Sequence, residues 1–155
     1  MIMMKKFDVC IIGGGITGTG IARDLSLRGI EIILLERGDV AVGTTGRSHG
    51  LLHSGARYAV SDTESAEQCA NENSILKKVA GSFINPTGGL FVSFGGDDEA
   101  YKGKFQAGCR KAGIKINELT SEEALKIEPN LNSNIESAFE VDDGVVDPFM
   151  LTVAN

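Results

Sequence analysis

The chain opens with a nearly continuous apolar run. Phe7–Ile12 is interrupted only by Asp8. That length and composition predict a short strand buried on both faces, the kind found in parallel sheets. Glycines follow at 13, 14, 15 and 18. From Ile16 to Arg28 the apolar spacing becomes helical, with Gly18, Ile21, Ala22 and Leu25 on one face and Gly29 where a C-terminal cap belongs. Glu31–Glu36 (EIILLE) predicts a second strand ending on an acid. The opening therefore spells strand–loop–helix–strand, a right-handed crossover unit with parallel strands.

Residues 39–58 break this pattern. They hold four glycines, two threonines and two serines, with little apolar content. A helical period returns over 63–80 through Ala66, Cys69, Ala70, Leu76 and Val79. Gly88–Phe94 reads as a strand after a turn at Pro86. Asp97 and Asp98 suit a cap for a helix carrying Tyr101, Phe105, Cys109 and Ala112, closed by Gly113. Ile114–Leu119 is a short strand, and Thr120-Ser121-Glu122-Glu123 fits a capping box on a helix that stops before Pro129. Ile135–Val141 is a strand, Asp142-Asp143-Gly144 a turn, and Asp147-Pro148 an N-cap with proline at N1. The helix opened there has no stop signal before Asn155.

Composition narrows the function classes. The chain has 155 residues, about one domain's worth, with 42% hydrophobic and 23% charged residues. No apolar run approaches the ~18–20 residues of a membrane span. The formal net charge of −6 disfavours a nucleic-acid partner. The absence of Trp, with only two Tyr, disfavours a base-stacking platform. Cys10, Cys69 and Cys109 are odd in number and widely spaced, which supports neither a zinc site nor a disulfide framework and reads as buried reduced thiols. The two lysines of Met1–Lys6 precede an apolar stretch too short for a secretory signal, so a strand explains it better. Glycine is the outlier, 20 of 155 residues, nearly double the usual ~7%.

The glycines with chemistry are Gly13-Gly14-Gly15-Ile16-Thr17-Gly18, a G-x-G-x-x-G. The hexamer alone is weak, but a strand precedes it, a helix follows it, and Glu36 ends the next strand 18 residues after Gly18. Gly13 allows the tight turn, Gly15 lets a diphosphate approach the main chain, and Gly18 lets the helix lie close to the sheet. Ala22, one turn on, helps that approach. The helix N-terminus offers N–H groups and partial positive charge to phosphates. Glu36 is placed to accept from adenosine ribose hydroxyls and to repel a 2′-phosphate, which disfavours NADP. The competing reading is a glycine-rich turn of an unrelated α/β protein with Glu36 a surface acid; the context favours dinucleotide binding.

A nicotinamide-binding domain would continue strand–helix–strand after Glu36. Asp39–Tyr58 does not. It carries both histidines of the chain, His49 and His53, beside Arg47 and Arg57. Hydroxyls, small residues and main-chain amides suit contact with an extended ligand, whereas a purely flexible loop of this length is uncommon. A metal pair on one helix face, His49 with His53, lacks a third ligand of suitable spacing.

The run GGGITGTGIARDLSLRGIEIILLERGDVAVGTTGRSHGLLHSGARYAVSDTESA, with NPTGGLFV near 85–92 and VDDGVVDPF near 141–149, closely resembles the FAD-dependent glycerol-3-phosphate dehydrogenases. Within them it is most similar to the A subunit of the anaerobic enzyme. Thr44–Tyr58 carries more of the specificity than the glycine motif, which many flavoproteins share. His53-Ser54-Gly55 departs from the His-Gly-Gly of the aerobic branch and favours the anaerobic one.

The resemblance implies a Rossmann-like α/β FAD-binding domain of the D-amino-acid-oxidase-like group, with the start of an inserted α+β substrate cap. Residues 1–82 would belong to the flavin domain, 83–146 to the cap, and 147–155 to a helix returning to the flavin domain. It implies oxidation of sn-glycerol 3-phosphate to dihydroxyacetone phosphate by hydride transfer to FAD. Electrons would reach the quinone pool through membrane-anchoring and electron-transfer subunits, placing the protein in the cytoplasm or peripherally at the inner face of the membrane. By analogy Gly13, Gly15, Thr17 and Gly18 meet the pyrophosphate and Glu36 the ribose, while Thr44, Thr45, Arg47, Ser48, His49, Gly50 and Leu51 run toward the isoalloxazine. Arg57 and Tyr58 would face the substrate, an arginine fork being suited to a phosphate; the competing reading of Arg57 is a surface ion pair. His49 is a conceivable covalent flavin site, though a noncovalent contact demands less. The base is expected later in the polypeptide, so the chain reads as an N-terminal portion, weak in flavin binding and inactive alone. The alternatives are a related amine or 2-hydroxy-acid oxidase, a nicotinamide-binding module without flavin, and a non-catalytic dinucleotide-binding remnant.

Overall fold

The computed structural model describes residues 5–97 and 99–155. Met1–Met4, and Asp98 with its predicted capping role, lie outside them. In chain order the elements are β1 (Val9–Ile12), α1 (Ile16–Leu27), β2 (Ile32–Leu35), β3 (Leu51–Leu52), α2 (Thr63–Val79), β4 (Ile84–Asn85) and β5 (Gly89–Phe94), followed by α3 (Glu99–Lys111), β6 (Ile116–Leu119), α4 (Ser121–Ile127), β7 (Ile135–Val141), β8 (Gly144–Val146) and α5 (Pro148–Ala154). Short 3-10 turns cover Thr45–Arg47, Ala56–Tyr58 and Gly81–Phe83. The chain divides into two units, Met1–Gly50 with Val146–Asn155, and Leu51–Val145.

In the first unit β1 and β2 pair in parallel, Val9 opposite Ile32 and Ile12 opposite Leu35, as the crossover pattern predicts. Ile11 is buried, and its Cγ2 lies 3.5 Å from where a Gly18 Cβ would stand. Cys10 and Ile12, on the alternate face, are exposed, Ile12 at 88%. The expectation of a strand buried on both faces is therefore corrected: a continuous apolar run reports two apolar faces, and among the described residues α1 covers one. Ile21 is likewise exposed, while Thr19 takes the buried place on α1. Thr19 Oγ1 donates within its own helix and accepts from Asn155 Nδ2 at 3.4 Å, tying α5 to α1. Gly29, at φ +77°, closes α1 where predicted.

In the second unit β5, β7 and β6 form an antiparallel sheet with β7 central. One core cluster joins Phe105, Cys109 and Ala112 of the α3 region to Phe139 and Val141 of β7 and to Ala56, Ala59 and Ala66. Phe105 stands between Phe91 and Phe139, ring centroids 4.9 and 5.4 Å away. A second cluster gathers Leu119, Ala124, Ile135 and Ala138 on the other face of β7. α4 opens with the predicted capping box: Glu123 N donates to Thr120 Oγ1, and Thr120 N to Glu123 Oε2. Gly144, read from sequence as the end of a turn, instead opens β8, a strand between β3 and β4. Tyr101 and Val79, expected on apolar helix faces, are exposed. The cysteine expectation holds only for Cys109, whose thiol burial pushes up to about 11; Cys69 is half-buried and Cys10 exposed, all three free. Among the described residues no helix is long and apolar enough to cross a membrane.

Candidate functional site

The glycine loop and Glu36 meet as the spacing predicts. Gly13 leaves β1 at φ +110°, a conformation side chains resist, and its N–H donates to Leu35 O at 2.8 Å. A side chain at Gly18 would run into the Gly13 carbonyl. The Glu36 carboxylate lies at the mouth of the loop: Oε2 accepts from Gly14 N at 2.7 Å and Oε1 from Gly38 N at 2.9 Å. Those main-chain donors, Gly14 foremost, hold its carboxyl below the usual carboxylate range. A carboxylate offers about four acceptor directions, so sites remain for hydroxyl donors.

The segment after β2 folds back onto this loop. Ala41 is buried with φ +61°, and its N–H donates to Gly14 O at 3.0 Å. Left-handed backbone at a non-glycine residue costs energy and persists only where surroundings enforce it. The turn at Thr45–Arg47 places Thr45 Oγ1 3.1 Å from Ile16 N, from which it accepts. Gly15, the N-cap of α1, supplies no side-chain bond, so Thr45 caps that helix from 29 residues away. A Cβ at Gly15 would stand 3.0 Å from the same Oγ1. Of the first helical N–H groups, which have no partner within a helix, Ile16 is thus engaged, while Thr17 and Gly18 follow it on the first turn. A bare cradle, a helix N-terminus and a hydroxyl-rich strap with an acid at its edge fit the diphosphate and ribose of an adenine dinucleotide. Thr44, Arg47, Ser48 and His49 are arrayed along the strap, all four exposed, with Thr45 half-buried, and Gly50 is buried at φ +69°.

Leu51, on β3, and the Arg57–Tyr58 pair fall in the second unit. His49 and His53 do not share a helix face, because β3 lies between them. Arg57 is exposed, its guanidinium 5.3 Å from the Tyr58 ring centroid. The His53 ring meets Tyr58 edge-on at 5.7 Å, and His53 Nδ1 accepts from Gly55 N at 3.2 Å. Gly55 sits at φ +92°, and a side chain there would strike the Ala66 carbonyl. Ala56 and Ala59 bury the turn's underside. Arg57 is thereby held outward on a fixed base.

Sequence reasoning missed what holds this turn. Asp143, read only as a turn residue, is buried, and its Oδ1 accepts from Ser54 N at 2.6 Å. Asn73 is buried on α2, its Nδ2 donating to Leu52 O at 3.2 Å and Asp142 O at 3.4 Å. Asn73 on a predicted apolar helix face, and the paired acids of VDDG, were the available signals.

Comparison with known proteins agrees with this geometry. Residues 8–155 match the family described as FAD dependent oxidoreductase. The chain is 54% identical over 153 residues to the A1 subunit of the anaerobic glycerol-3-phosphate dehydrogenase of Haloferax volcanii, covering 99% of this chain and 26% of that protein. Glycine oxidase from Geobacillus kaustophilus superposes with a TM-score of 0.81 at 21% identity, covering 97% of this chain and 43% of that one, which shows the fold. The glycerol-3-phosphate dehydrogenase from Bacillus halodurans complexed with FAD superposes with a TM-score of 0.61 at 27% identity, covering 96% and 23%. The chain spans about a quarter of the length of the curated relatives it matches.

Proposed function

Because the chain belongs to the FAD dependent oxidoreductase family, we propose that it supplies the adenine-dinucleotide cradle and part of the substrate surface of an enzyme oxidising sn-glycerol 3-phosphate to dihydroxyacetone phosphate. The observation that carries this is the Glu36 carboxylate at the mouth of the glycine loop, joined to 54% identity with one chain of a glycerol-3-phosphate dehydrogenase.

When bound, FAD supplies the hydride acceptor. The protein's part is position and field. The first-turn amides of Thr17 and Gly18 and the bare main chain of Gly15 receive the diphosphate, and Gly13 shapes the turn that brings them there. Glu36 turns its remaining acceptor directions to the ribose hydroxyls. Thr44, Thr45, Arg47, Ser48, His49, Gly50 and Leu51 line the path from the diphosphate toward the ring system. Arg57 holds the substrate phosphate with its planar fork, and the Tyr58 ring beneath it limits its rotamers. Holding the phosphate alike in ground and transition state brings the adjacent carbinol into the site and sets substrate affinity. Residues 83–146 form the start of the substrate cap on this reading. Electrons leave for quinone through partner proteins, and the protein works on the cytoplasmic side, held peripherally at the membrane by those partners.

The test is an absorption spectrum of the holoprotein made from its complete coding sequence, followed by anaerobic titration. Flavin bands that bleach with glycerol 3-phosphate, and not with glycine, sarcosine or 2-hydroxyglutarate, are the expected result. Bleaching by an amine or a 2-hydroxy acid instead, or a colourless protein stabilised by NAD alone, overturns the proposal.

A further inference from the structure

We propose that Asp143 is a positioning residue for the His53–Tyr58 turn, its buried carboxylate setting the direction in which Arg57 meets substrate; the inference rests on the substrate role given to Arg57 above. Asp143 is 7% exposed and reaches across 89 residues of sequence to accept from Ser54 N at 2.6 Å. That is a short bond from a main-chain amide to a carboxyl oxygen, at the length of the stronger class. Its own backbone is fixed as well, because Asp143 O accepts from Gly88 N at 3.1 Å. The neighbouring strand makes room for the carboxylate: a Cβ at Gly89 would stand 2.8 Å from Asp143 Oδ2.

The turn is gripped on both sides of His53. Ahead of it, Asn73 Nδ2 binds the Leu52 carbonyl. Behind it, Asp143 binds the Ser54 amide. The two grips share a base, since Asn73 also donates to Asp142 O, and Lys77 Nζ donates to both Asp142 O and its carboxylate. Downstream, Gly55 and Ala56 leave no slack for the three-residue turn that ends on Arg57 and Tyr58. A loss of direction at Ser54 therefore passes directly to Arg57. A contact that orients a ground-state phosphate ligand sets substrate affinity more than turnover.

The test compares Asp143→Asn and Asp143→Ala in the holoprotein made from the complete coding sequence, with steady-state kinetics and hydrogen exchange of peptides covering 51–58. Asp143→Asn keeps an oxygen for Ser54 N; KM for glycerol 3-phosphate stays within about threefold of wild type and the segment remains protected. Asp143→Ala loses it; KM rises roughly tenfold, the scale of one hydrogen bond, kcat changes by less than about threefold, flavin content is unchanged, and 51–58 exchanges faster. Should Asp143→Ala fail to fold, Gly89→Ala displaces the carboxylate without removing it and gives the same KM rise. Wild-type KM and exchange in both Asp143→Ala and Gly89→Ala, an Asn variant as impaired as the Ala one, or a parallel loss of flavin and kcat overturns the inference. Where wild-type flavin is not reduced by glycerol 3-phosphate, the functional reading falls separately, and exchange over 51–58 decides the positioning role.

Discussion

Replacing Thr45 by Val removes one acceptor and almost nothing else. The two side chains have the same shape, so no void opens, yet the Ile16 N–H loses the oxygen 3.1 Å away. α1 has no local substitute, since Gly15 at the N-cap has no side chain and no acid stands in the first turn. A lost cap costs about 0.5–2 kcal/mol, and an unmet part-buried donor falls in the same range. Taking about 1 kcal/mol, a chain of this size melts some 2–4 °C lower. The assay is circular dichroism melting at pH 7 without nucleotide, for wild type, Thr45→Val and Thr45→Ser. Ser keeps the hydroxyl and gives up only a methyl group, so it retains most of the wild-type Tm. A Val variant that melts with wild type, or a Ser variant as unstable as Val, refutes the remote cap. Adding FAD extends the test, because a helix terminus that has lost its cap gains more from a bound diphosphate, and the gap between Val and wild type narrows.

Two further outcomes follow from single groups. Glu36 has a native pKa held below its ordinary 4.5 by the Gly14 and Gly38 amides, so its stabilisation is complete above that value and fades as pH falls through the lowered one; melting from pH 7 to pH 3 should show the wild-type advantage over Glu36→Gln shrinking only below about pH 4.5, and an advantage unchanged at pH 3 contradicts the assignment. Ser54 Oγ is buried and has no hydrogen-bond partner among the described residues, so Ser54→Ala, which keeps the amide on Asp143, leaves stability unchanged or raises it by up to about 1 kcal/mol; a clear loss in a denaturant titration means the hydroxyl has a partner after all.

Much of this molecule was legible because local chemistry and fold agree. The strand–glycine–helix–strand opening, the capping box at Thr120 and the Asp147-Pro148 helix start are each written within a few adjacent residues. The candidate cradle was legible for the same reason, since its glycines and Glu36 belong to one supersecondary unit. Exposure was less so. Ile12 and Ile21 are apolar in a pattern that demands cover, but how many faces a neighbour covers is a tertiary fact with no period in the sequence.

The polar grips were the least legible part, and the cause is general. Apolar burial repeats along a helix or strand and leaves a period to read; a buried hydrogen bond needs only one donor and one acceptor, at any separation. Asn73 sat on a helix face otherwise read from Ala66, Cys69, Ala70, Leu76 and Val79, and Asp143 looked like one more acid in a turn. Each makes sense only beside the group it satisfies, Leu52 O and Ser54 N. A buried amide or carboxylate without such a partner costs more than its bond returns. So a buried Asn or Asp reports that the fold has placed a main-chain group where water cannot serve it. Here both report the same place, the two sides of His53, and that convergence shows what holds the turn carrying Arg57, which the sequence marked by its residue types but not by its supports.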